Sequence, residues 1–253
     1  MVEWGLSKAR YKSPFSRGAR FAAQVLLLKP VVWSQLSVEV HGEENTSTVA
    51  DDEAFIVVAN HSSHFDAPLI FGSLPRRLAG RMATGAAADY FFKHWYTAGP
   101  TALFFNAFPV DRSGSRNSRG MAGQLVADGV PVLIFPEGTR SRTGAMAAFN
   151  PGSASLAIKN GVPVLPLALV GAFAAWPAGR SRWLAGRPPV HVAIGKPMWA
   201  NPGEIAHDFA NRIRRAIVEL HDATALAYGM PTQAEMALQV AALEAAKHHE
   251  SAD

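Results

Sequence analysis

Residues 55–66 read Phe55-Ile56-Val57-Val58-Ala59-Asn60-His61-Ser62-Ser63-His64-Phe65-Asp66. The five apolar residues predict a buried strand, and the polar residues after them predict a loop at its carboxyl end. The same arrangement returns later in the chain, as Val132-Leu133-Ile134-Phe135-Pro136-Glu137-Gly138-Thr139-Arg140-Ser141. Two apolar strands that each end in a charged loop predict one active site at a single edge of a sheet.

An α/β fold follows from the remaining pattern. Further strands are predicted at 81–86, 108–110, 162–170 and 190–194, and helices at 67–74, 89–105, 117–128, 151–161, 204–227 and 232–246. Strands that alternate with helices predict a single domain with a largely parallel or mixed sheet flanked by helices. The chain divides into a basic amphipathic, membrane-associating helical segment (1–40), a catalytic domain (41–230), and a C-terminal helix and tail (231–253).

The composition limits the possible chemistry. The 253 residues include no cysteine, which excludes disulfides, thiolate metal sites and a cysteine nucleophile. Charged residues make up only 17% of the chain and hydrophobic residues 49%. That balance suits a surface partly covered by a membrane or a partner, although an alanine-rich composition gives the same figures. The net charge of +4 indicates an anionic partner.

The basic charge is concentrated at the N-terminus. Residues 1–30 contain one acidic residue, Glu3, and the basic residues Lys8, Arg10, Lys12, Arg17, Arg20 and Lys29. Aromatic residues lie between these cations, so the segment resembles a membrane-surface anchor more than a nucleic-acid site. We therefore predict interfacial helices over residues 5–35, kinked at Pro30. A solvated basic tail that leads into a core helix is the alternative.

No segment predicts a membrane span. The best stretch, residues 21–38, is interrupted by Gln24, Lys29 and Pro30, whereas a span needs about 20 predominantly apolar residues. A cleavable signal peptide is not predicted either, because the apolar stretch is short and no small-residue cleavage site follows it. These features predict a peripheral or monotopic protein at the cytoplasmic face of the cell membrane.

The chemistry of the first loop centres on His61 and Asp66. Across a turn from strand to helix, Asp66 can accept from one nitrogen of the His61 ring and fix its tautomer. The other nitrogen is then a general base with no protein nucleophile beside it. Two alternatives stay open: a purely structural histidine, and a zinc site formed by His61, His64 and Asp66.

The second loop supplies an anion-binding group. Arg140 carries a planar guanidinium suited to phosphate or carboxylate, and Gly138 allows a ligand to approach the backbone. Arg112 ends its own predicted strand in the same way and is a second candidate for phosphate binding. The alternative is that Glu137 and Arg140 only pair with each other.

Four stretches, in this order, resemble the motifs of the glycerolipid acyltransferase family, which includes bacterial 1-acyl-glycerol-3-phosphate acyltransferases. They are Asn60-His61-Ser62-Ser63-His64-Phe65-Asp66, Phe108-Pro109-Val110-Asp111-Arg112, Phe135-Pro136-Glu137-Gly138-Thr139-Arg140-Ser141 and Val162-Pro163-Val164-Leu165-Pro166. The similarity extends over about residues 38–200.

The resemblance implies transfer of an acyl group from acyl-CoA or acyl-carrier protein to a hydroxyl. His61 would deprotonate the acceptor and Asp66 would orient His61. Arg112 and Arg140 would hold the acceptor phosphate, Glu137 would bind near its glycerol hydroxyl, and Gly138 with Thr139 would shape the turn. The implied acceptor is a lysophospholipid, most simply 1-acylglycerol-3-phosphate, which gives phosphatidic acid without a covalent acyl-enzyme. No metal or organic cofactor is implied.

Other functions remain as alternatives. The same chemistry can act on glycerol-3-phosphate, another lysophospholipid or a glycolipid. A hydrolase would use His61 to activate water, but the chain has no Gly-x-Ser-x-Gly elbow. A non-catalytic lipid-binding protein would not need an oriented base. Residues 172–189 stay unassigned: their tryptophans and arginines predict a loop that touches lipid or the CoA phosphates, or an ordinary exposed loop.

Overall fold

One mixed sheet organises the part of the chain that the structure, a computed structural model, describes: residues 9–50, 53–87, 95–110 and 116–250. Its strands are β1 (Ser37–His41), β2 (Ile56–Ala59), β3 (Ala83–Ala87), β4 (Phe108–Val110), β5 (Val132–Ile134), β6 (Val164–Val170) and β7 (Pro189–Ile194). The strand order is β1-β7-β6-β2-β5-β3-β4, and every neighbouring pair is parallel except β6 and β7. The predicted α/β fold with a mixed sheet is confirmed.

Helices cover both faces of this sheet. They are α1 (Ala9–Lys12), α2 (Pro14–Ala23), α3 (Lys29–Gln35), α4 (Asp66–Ser73), α5 (Arg76–Ala79), α6 (Trp95–Phe105), α7 (Arg116–Ala127), α8 (Gly152–Asn160), α9 (Ala172–Ala175), α10 (Ala206–Ala227) and α11 (Gln233–Glu250). A hydrophobic core lies on each face of the sheet. The side chains of β2 contribute to the two cores in turn, since successive side chains of a strand point to opposite faces. Val57 and Ala59 pack with α3 and α4, whereas Ile56 and Val58 pack with α8 and α10.

The strand directions define the edge at which a site can form. β2, β5 and β6 are parallel, so the loops after all three strands leave the sheet at the same edge. β7 runs antiparallel to β6 and β1 runs parallel to β7. The chain between β6 and β7 therefore also lies at this edge, close to where α3 leads into β1.

The N-terminal helices are fixed to the sheet domain by buried polar contacts. Nη2 of Arg20, a residue only 3% exposed, donates to Oδ1 of Asn106 at 2.8 Å. One turn later, Nε2 of Gln24 donates to the carbonyl of Phe104 at 2.6 Å. Both contacts join the first helices to α6 and the residue just after it. No helix in the described part of the chain is long and apolar enough to cross a bilayer.

A turn of π-helix at Gln24–Leu28 joins α2 to α3, in place of the simple proline kink predicted from the sequence. Pro30 lies in the first turn of α3 and has no N–H to donate. The neighbouring N–H of Lys29 bonds to the carbonyl of Gln24, five residues earlier. The wider π-helical turn thus accommodates Pro30 without interrupting the helix.

Strand β1 was not predicted, because its five residues follow a helix directly and offer only a short alternation. Residues 37–40, assigned to the N-terminal segment, therefore lie in the sheet. Helix α11 continues to Glu250, four residues beyond the predicted 246. The predicted helix over 89–105 is described only from Trp95, and residues 88–94 lie outside the described ranges. The boundary of the catalytic domain at residue 41 stays a prediction.

Candidate active site

The predicted pairing of His61 and Asp66 occurs at the carboxyl end of β2. Nδ1 of His61 lies 2.7 Å from Oδ2 of Asp66, and the Asp66 side chain is fully buried. Five residues separate the two along the chain, and the turn from β2 into α4 brings them together. The sequence was sufficient to predict this contact because it is local.

The carboxylate of Asp66 also organises the turn that carries His61. Its Oδ2 accepts from the backbone N–H groups of Ser62 (2.7 Å) and Ser63 (2.8 Å). Phe65 occupies the cap position of the helix, and α4 begins at Asp66 itself, one residue before the predicted start at 67. A carboxylate in the first turn interacts favourably with the positive end of the helix. Asp66 therefore fixes both the backbone and the ring of His61.

The side of the His61 ring that carries Nε2 is open to a ligand. The ring stacks on Phe135, with centroids 4.0 Å apart and planes 16° from parallel. The side chain keeps a fifth of its surface exposed, at 21%. Within the described ranges Nε2 of His61 makes no hydrogen bond. With Nδ1 held by Asp66, Nε2 is the nitrogen available to take a proton.

Glu137 joins the second loop to the first instead of pairing with Arg140. Its Oε1 accepts from the N–H of His61 at 2.7 Å, and its Oε2 accepts from the N–H of Ala147 at 3.0 Å. Burial raises the pKa of the Glu137 carboxyl above its usual range, although both backbone N–H groups act in the opposite direction. Both oxygens are thus committed to backbone, and the predicted alternative of a Glu137–Arg140 pair is wrong.

The turn after Glu137 has the backbone that its glycine allows. Gly138 has φ +76°, a left-handed conformation that other residues rarely adopt. Its N–H bonds to the carbonyl of Phe135 at 3.1 Å, and Thr139 beside it is exposed. Two residues further, the N–H of Ser141 donates to the carbonyl of His61 at 2.7 Å. Together with Glu137, this bond holds the two loops side by side.

Arg140 faces the same edge and is supported by His64. Its Nη1 lies 2.9 Å from Nε2 of His64 and also contacts Nδ1 of that ring. A guanidinium only donates, so the His64 ring must be neutral to accept. Burial and then the charge of Arg140 lower the pKa of His64, which favours the neutral ring. Arg112, the other predicted phosphate ligand, lies outside the described residues.

Two anchors of the site were missed by the sequence analysis. Asn60 is buried and exchanges two hydrogen bonds with the backbone of Leu169 on β6, at 3.0 Å and 2.8 Å. The carbonyl of Trp176, just after α9, accepts from Oγ of Ser63 at 2.9 Å and from the N–H of His64 at 3.3 Å. Partners more than a hundred residues apart leave no signal in the local pattern.

The predicted alternative of a metal site built from His61, His64 and Asp66 does not match the contacts. Oδ2 of Asp66 already accepts three donors, and the His64 ring faces Arg140. Within the described ranges, another group has ligand atoms within 4.8 Å of one another: Glu39, His41 and His191, on β1 and β7. There Nε2 of His41 and Nδ1 of His191 lie 3.1 Å apart.

Comparison with known proteins gives concordant similarities. A family model described as "Acyltransferase" matches residues 37–170, which include all four motifs completely. A 1-acyl-sn-glycerol-3-phosphate acyltransferase of Chlamydomonas reinhardtii is 30% identical over a stretch that covers 71% of this chain and 52% of the length of that enzyme. The enzyme of that name from Pseudomonas aeruginosa is 29% identical over 83% of this chain and 76% of its own.

A solved structure agrees with the sequence similarity. The crystal structure of the 1-acyl-sn-glycerophosphate acyltransferase PlsC from Thermotoga maritima superposes with a TM-score of 0.59 and 29% identity. The match covers 87% of this chain and 83% of that one. By contrast, the chain spans about half the length of several curated relatives, such as those from Chlamydomonas (52%) and Cocos nucifera (49%).

Proposed function

The chain belongs to the acyltransferase family, as its motifs predicted, and we propose that it acylates a lysophospholipid, most simply 1-acylglycerol-3-phosphate. The observation that carries the proposal is the buried Asp66 carboxylate 2.7 Å from Nδ1 of His61, with Nε2 left open. That arrangement is a general base without a neighbouring nucleophile. The names of the similar proteins support the choice of acceptor.

The reaction proceeds by direct attack of the acceptor on the thioester. Nε2 of His61 removes the proton from the acceptor hydroxyl as its oxygen attacks the thioester carbonyl. The tetrahedral intermediate then expels the thiolate, which takes the proton back from the imidazolium. Asp66 stabilises the positive ring while it exists and holds the tautomer that leaves Nε2 unprotonated at the start. The products are the acylated lipid and the free thiol of CoA or acyl-carrier protein.

The acceptor is held through its phosphate. Arg140 offers donors that no other protein group uses within the described ranges, and Arg112 is the second cation in the proposal. Gly138 and Thr139 form the exposed turn against which the head group lies. Glu137 acts through its two backbone contacts, which keep this turn beside His61. An anionic acceptor suits the site because the guanidinium of Arg140 offers it charged donors beside the neutral base of His61.

The same proposal includes the cellular setting. A lysophospholipid is concentrated in a bilayer, so the enzyme works as a peripheral or monotopic protein at the membrane surface. The basic N-terminal residues favour the anionic cytoplasmic leaflet. The acyl donor, acyl-CoA or acyl-carrier protein, then arrives from the aqueous side.

The decisive experiment measures acyl transfer with several acceptors. Purified protein in vesicles receives oleoyl-CoA together with 1-acylglycerol-3-phosphate, glycerol-3-phosphate or another lysophospholipid. Release of CoA and formation of lipid product are followed for the wild type and for His61→Ala. We expect product with 1-acylglycerol-3-phosphate, reduced in His61→Ala by about 10²–10⁴-fold.

A matched variant separates chemistry from a general effect of losing a histidine. His207 is exposed on α10, so His207→Ala should keep wild-type activity. Product with a different acceptor would retain the mechanism and change the substrate. Release of CoA that needs no acceptor and is equal in wild type and His61→Ala would overturn the proposal in favour of hydrolysis elsewhere on the chain.

A further inference from the structure

An apolar face of the N-terminal helices has no protein partner among the described residues. Leu26 (70% exposed), Leu27 (57%) and Val31 (60%) project from the π-turn and from α3. Leu27 and Val31 are four residues apart and lie on one side of the helical run. Gln35 follows at the same spacing, so this side leads to the end of α3, at the edge of the sheet that carries the site.

The unassigned segment between α9 and β7 continues this face. Nε1 of Trp183 donates to Oε1 of Gln35 at 2.9 Å, which joins the segment to α3. Nη2 of Arg187 adds a bond to the carbonyl of Trp33 at 3.3 Å. Trp183 and its neighbour Leu184 nevertheless remain 44% and 54% exposed. The exposed apolar residues of helix and loop are therefore neighbours on one surface.

Cations and a cavity lie along the loop part of this surface. Arg180 and Arg182 are both exposed, and neither forms a salt bridge within the described ranges. A cavity of about 510 Å³ is lined by these two arginines, Trp183 and Leu184, among others. Exposed apolar side chains with cations and an indole beside them are the pattern of a surface that enters a lipid interface.

We propose that Leu26, Leu27, Val31, Trp183 and Leu184, with Arg180 and Arg182, form one bilayer-docking surface, and that its partner is a bilayer containing anionic phospholipids. Trp183 and Leu184 enter the interface beside the helix face, and the two arginines contact lipid phosphates. The charge complementarity selects anionic lipid over a neutral protein partner. The proposed function enters only as a reason to expect lipid near the site.

The docking surface is directly connected to the candidate active site. Trp176, at the start of the same loop, packs its ring against Trp183 with centroids 5.3 Å apart. The carbonyl of Trp176 accepts from Oγ of Ser63, and its ring lies 4.6 Å from that of His64. A loop docked on the bilayer thus holds the residues that follow His61 at the lipid surface, where an acceptor lipid resides.

The absence of cysteine allows a direct test with a single label. Leu184→Cys is coupled to an environment-sensitive fluorophore and mixed with phosphatidylcholine vesicles, with or without phosphatidylglycerol. We expect a blue shift of emission with the anionic vesicles. The matched control is Ser47→Cys, an exposed residue of the 3₁₀ turn after β1, at the opposite edge of the sheet, whose emission should not change.

Three outcomes overturn the proposal. Emission at position 184 that stays unchanged while the protein floats with the vesicles would leave docking to the N-terminal segment alone. Equal shifts at positions 184 and 47 would indicate nonspecific adsorption. A shift with CoA in the absence of vesicles, and none with vesicles, would assign the loop to the acyl donor. None of these readouts needs turnover, so failure of the proposed reaction would be seen separately.

Substitutions test the energetic contribution of the loop. Trp183→Ser should weaken vesicle binding by about tenfold or more, because a large apolar side chain no longer leaves water. The matched control is Trp199→Ser. Trp199 is 51% exposed and follows β7, at the opposite edge of the sheet, so this variant should bind vesicles as tightly as the wild type does. Leu184→Ser repeats the test without disturbing the bond to Gln35.

The charge part of the proposal has its own variant. Arg180→Gln combined with Arg182→Gln should weaken binding to anionic vesicles by about fivefold for each arginine and leave binding to neutral vesicles unchanged. Equal losses on both kinds of vesicle would remove the anionic lipid from the proposal.

Discussion

At the level of single residues, one carboxylate oxygen carries most of the geometry of the candidate site. Oδ2 of Asp66 accepts from the His61 ring and from two backbone N–H groups, whereas Oδ1 is buried without a hydrogen-bond partner. A charged acceptor suits this concentration of donors, and hydrogen bonds to charged groups each contribute about 1.5–3 kcal/mol. Removing the charge should therefore affect both the reaction and the fold.

Asp66→Asn should lower kcat by about 10²–10⁴-fold, since the amide no longer stabilises the protonated His61 ring. The free energy of unfolding should fall by about 1–3 kcal/mol, because weaker bonds replace the charged ones. Steady-state kinetics and urea unfolding measure the two effects.

The chain offers a matched histidine–carboxylate pair away from the site. Oδ1 of Asp222 lies 3.0 Å from Nδ1 of His221 and accepts from the N–H of Gln233 at 2.7 Å. Asp222→Asn should reduce stability by a similar amount and keep wild-type kcat. Similar activities of the two variants would contradict the catalytic role of Asp66.

The kinetics of a Glu137 variant distinguish a positioning role for this residue from the substrate-binding role that the family resemblance implies. Glu137→Gln leaves one carbonyl oxygen for two backbone N–H groups, so the amide of His61 or of Ala147 loses its acceptor, at a cost of about 1–3 kcal/mol. We expect a lower kcat and a nearly unchanged KM for the acceptor. A higher KM with unchanged kcat would instead place Glu137 on the substrate. Exposed Glu219→Gln is the control and should change neither parameter.

At the level of elements, the pairing of β1 with β7 buries a group that opposes folding in acid. His191 is 2% exposed and contacts His41 and Glu39 on β1 and the ring of Tyr228 after α10. Burial lowers its pKa below the ordinary 6.5, although the Glu39 charge acts in the opposite direction. Below that ordinary value the unfolded chain binds a proton that the folded chain does not.

The free energy of unfolding should therefore fall as the pH drops from about 7.5 to about 5.5, by up to about 1.4 kcal/mol per pH unit for this histidine. His191→Gln should flatten the dependence. Buried His221, whose pKa is also lowered by burial, should account for part of the remaining slope. Urea unfolding at several pH values measures how the free energy of unfolding depends on pH. The control is a substitution of an exposed histidine, His207→Gln. Identical slopes in wild type and His191→Gln would refute this explanation.

The attachment of α2 depends on a buried arginine. Desolvation lowers the pKa of Arg20 to about 10, so the side chain remains charged at neutral pH. Its nitrogens donate to the carbonyl of Gly80 at 3.1 Å and to Oδ1 of Asn106. Arg20→Met should leave both acceptors unsatisfied and destabilise the packing of α2 by about 1–3 kcal/mol for each acceptor.

Hydrogen exchange reports this effect locally. Amides of residues 14–23 should exchange faster in Arg20→Met, whereas those of β2 and β6 should stay protected. Lys12→Met removes an exposed cation from the preceding helix and serves as the control. Uniformly faster exchange would mean that α2 is an integral part of the folding unit and not a separately attached element.

Elements with local signals were predicted well from the sequence, and elements with distant partners were not. Gly161, at φ +64°, ends α8 where the glycine predicted an end. Strand β1 was missed because its register is set by β7, about 150 residues away. Residues 172–189 stayed unassigned for the same reason, since the contacts of the loop within them are with Ser63, Trp33 and Gln35. Local patterns contain no information about such partners.

For the whole molecule, the sheet order converts separate motifs into one site. β2 lies between β5 and β6, so the loops with His61 and Glu137 are neighbours although 76 residues separate them. The sequence predicted that both loops belong to one edge, because parallel strands share it. It did not predict that Glu137 would bond to the His61 backbone, since that depends on the exact register of two strands.

The same arrangement predicts that no acyl-enzyme forms. The chain has no cysteine, and the hydroxyls of Ser63 and Ser141, on the two loops that meet at His61, are hydrogen-bonded to other groups. Oγ of Ser63 donates to Trp176, and Oγ of Ser141 donates to Ala145 at 2.8 Å. With no nucleophile of the described ranges hydrogen-bonded to the base, both substrates must be bound together before transfer. Initial rates at varied donor and acceptor should therefore give intersecting double-reciprocal plots.

A labelling experiment checks the prediction independently of the kinetic model. Protein incubated with radiolabelled acyl-CoA and no acceptor should carry no covalent label after denaturation, and thiol-blocking reagents should not reduce its activity. Parallel plots together with protein-bound label lost on treatment with hydroxylamine would establish a covalent intermediate. Ser63 or Ser141 would then be the nucleophile to test, and the hydrogen bonds that now occupy their hydroxyls would have to break during turnover. Because the Ser63 bond fixes the first loop to Trp176 and the Ser141 bond closes the second loop on Ala145, direct transfer is the course that leaves the site intact.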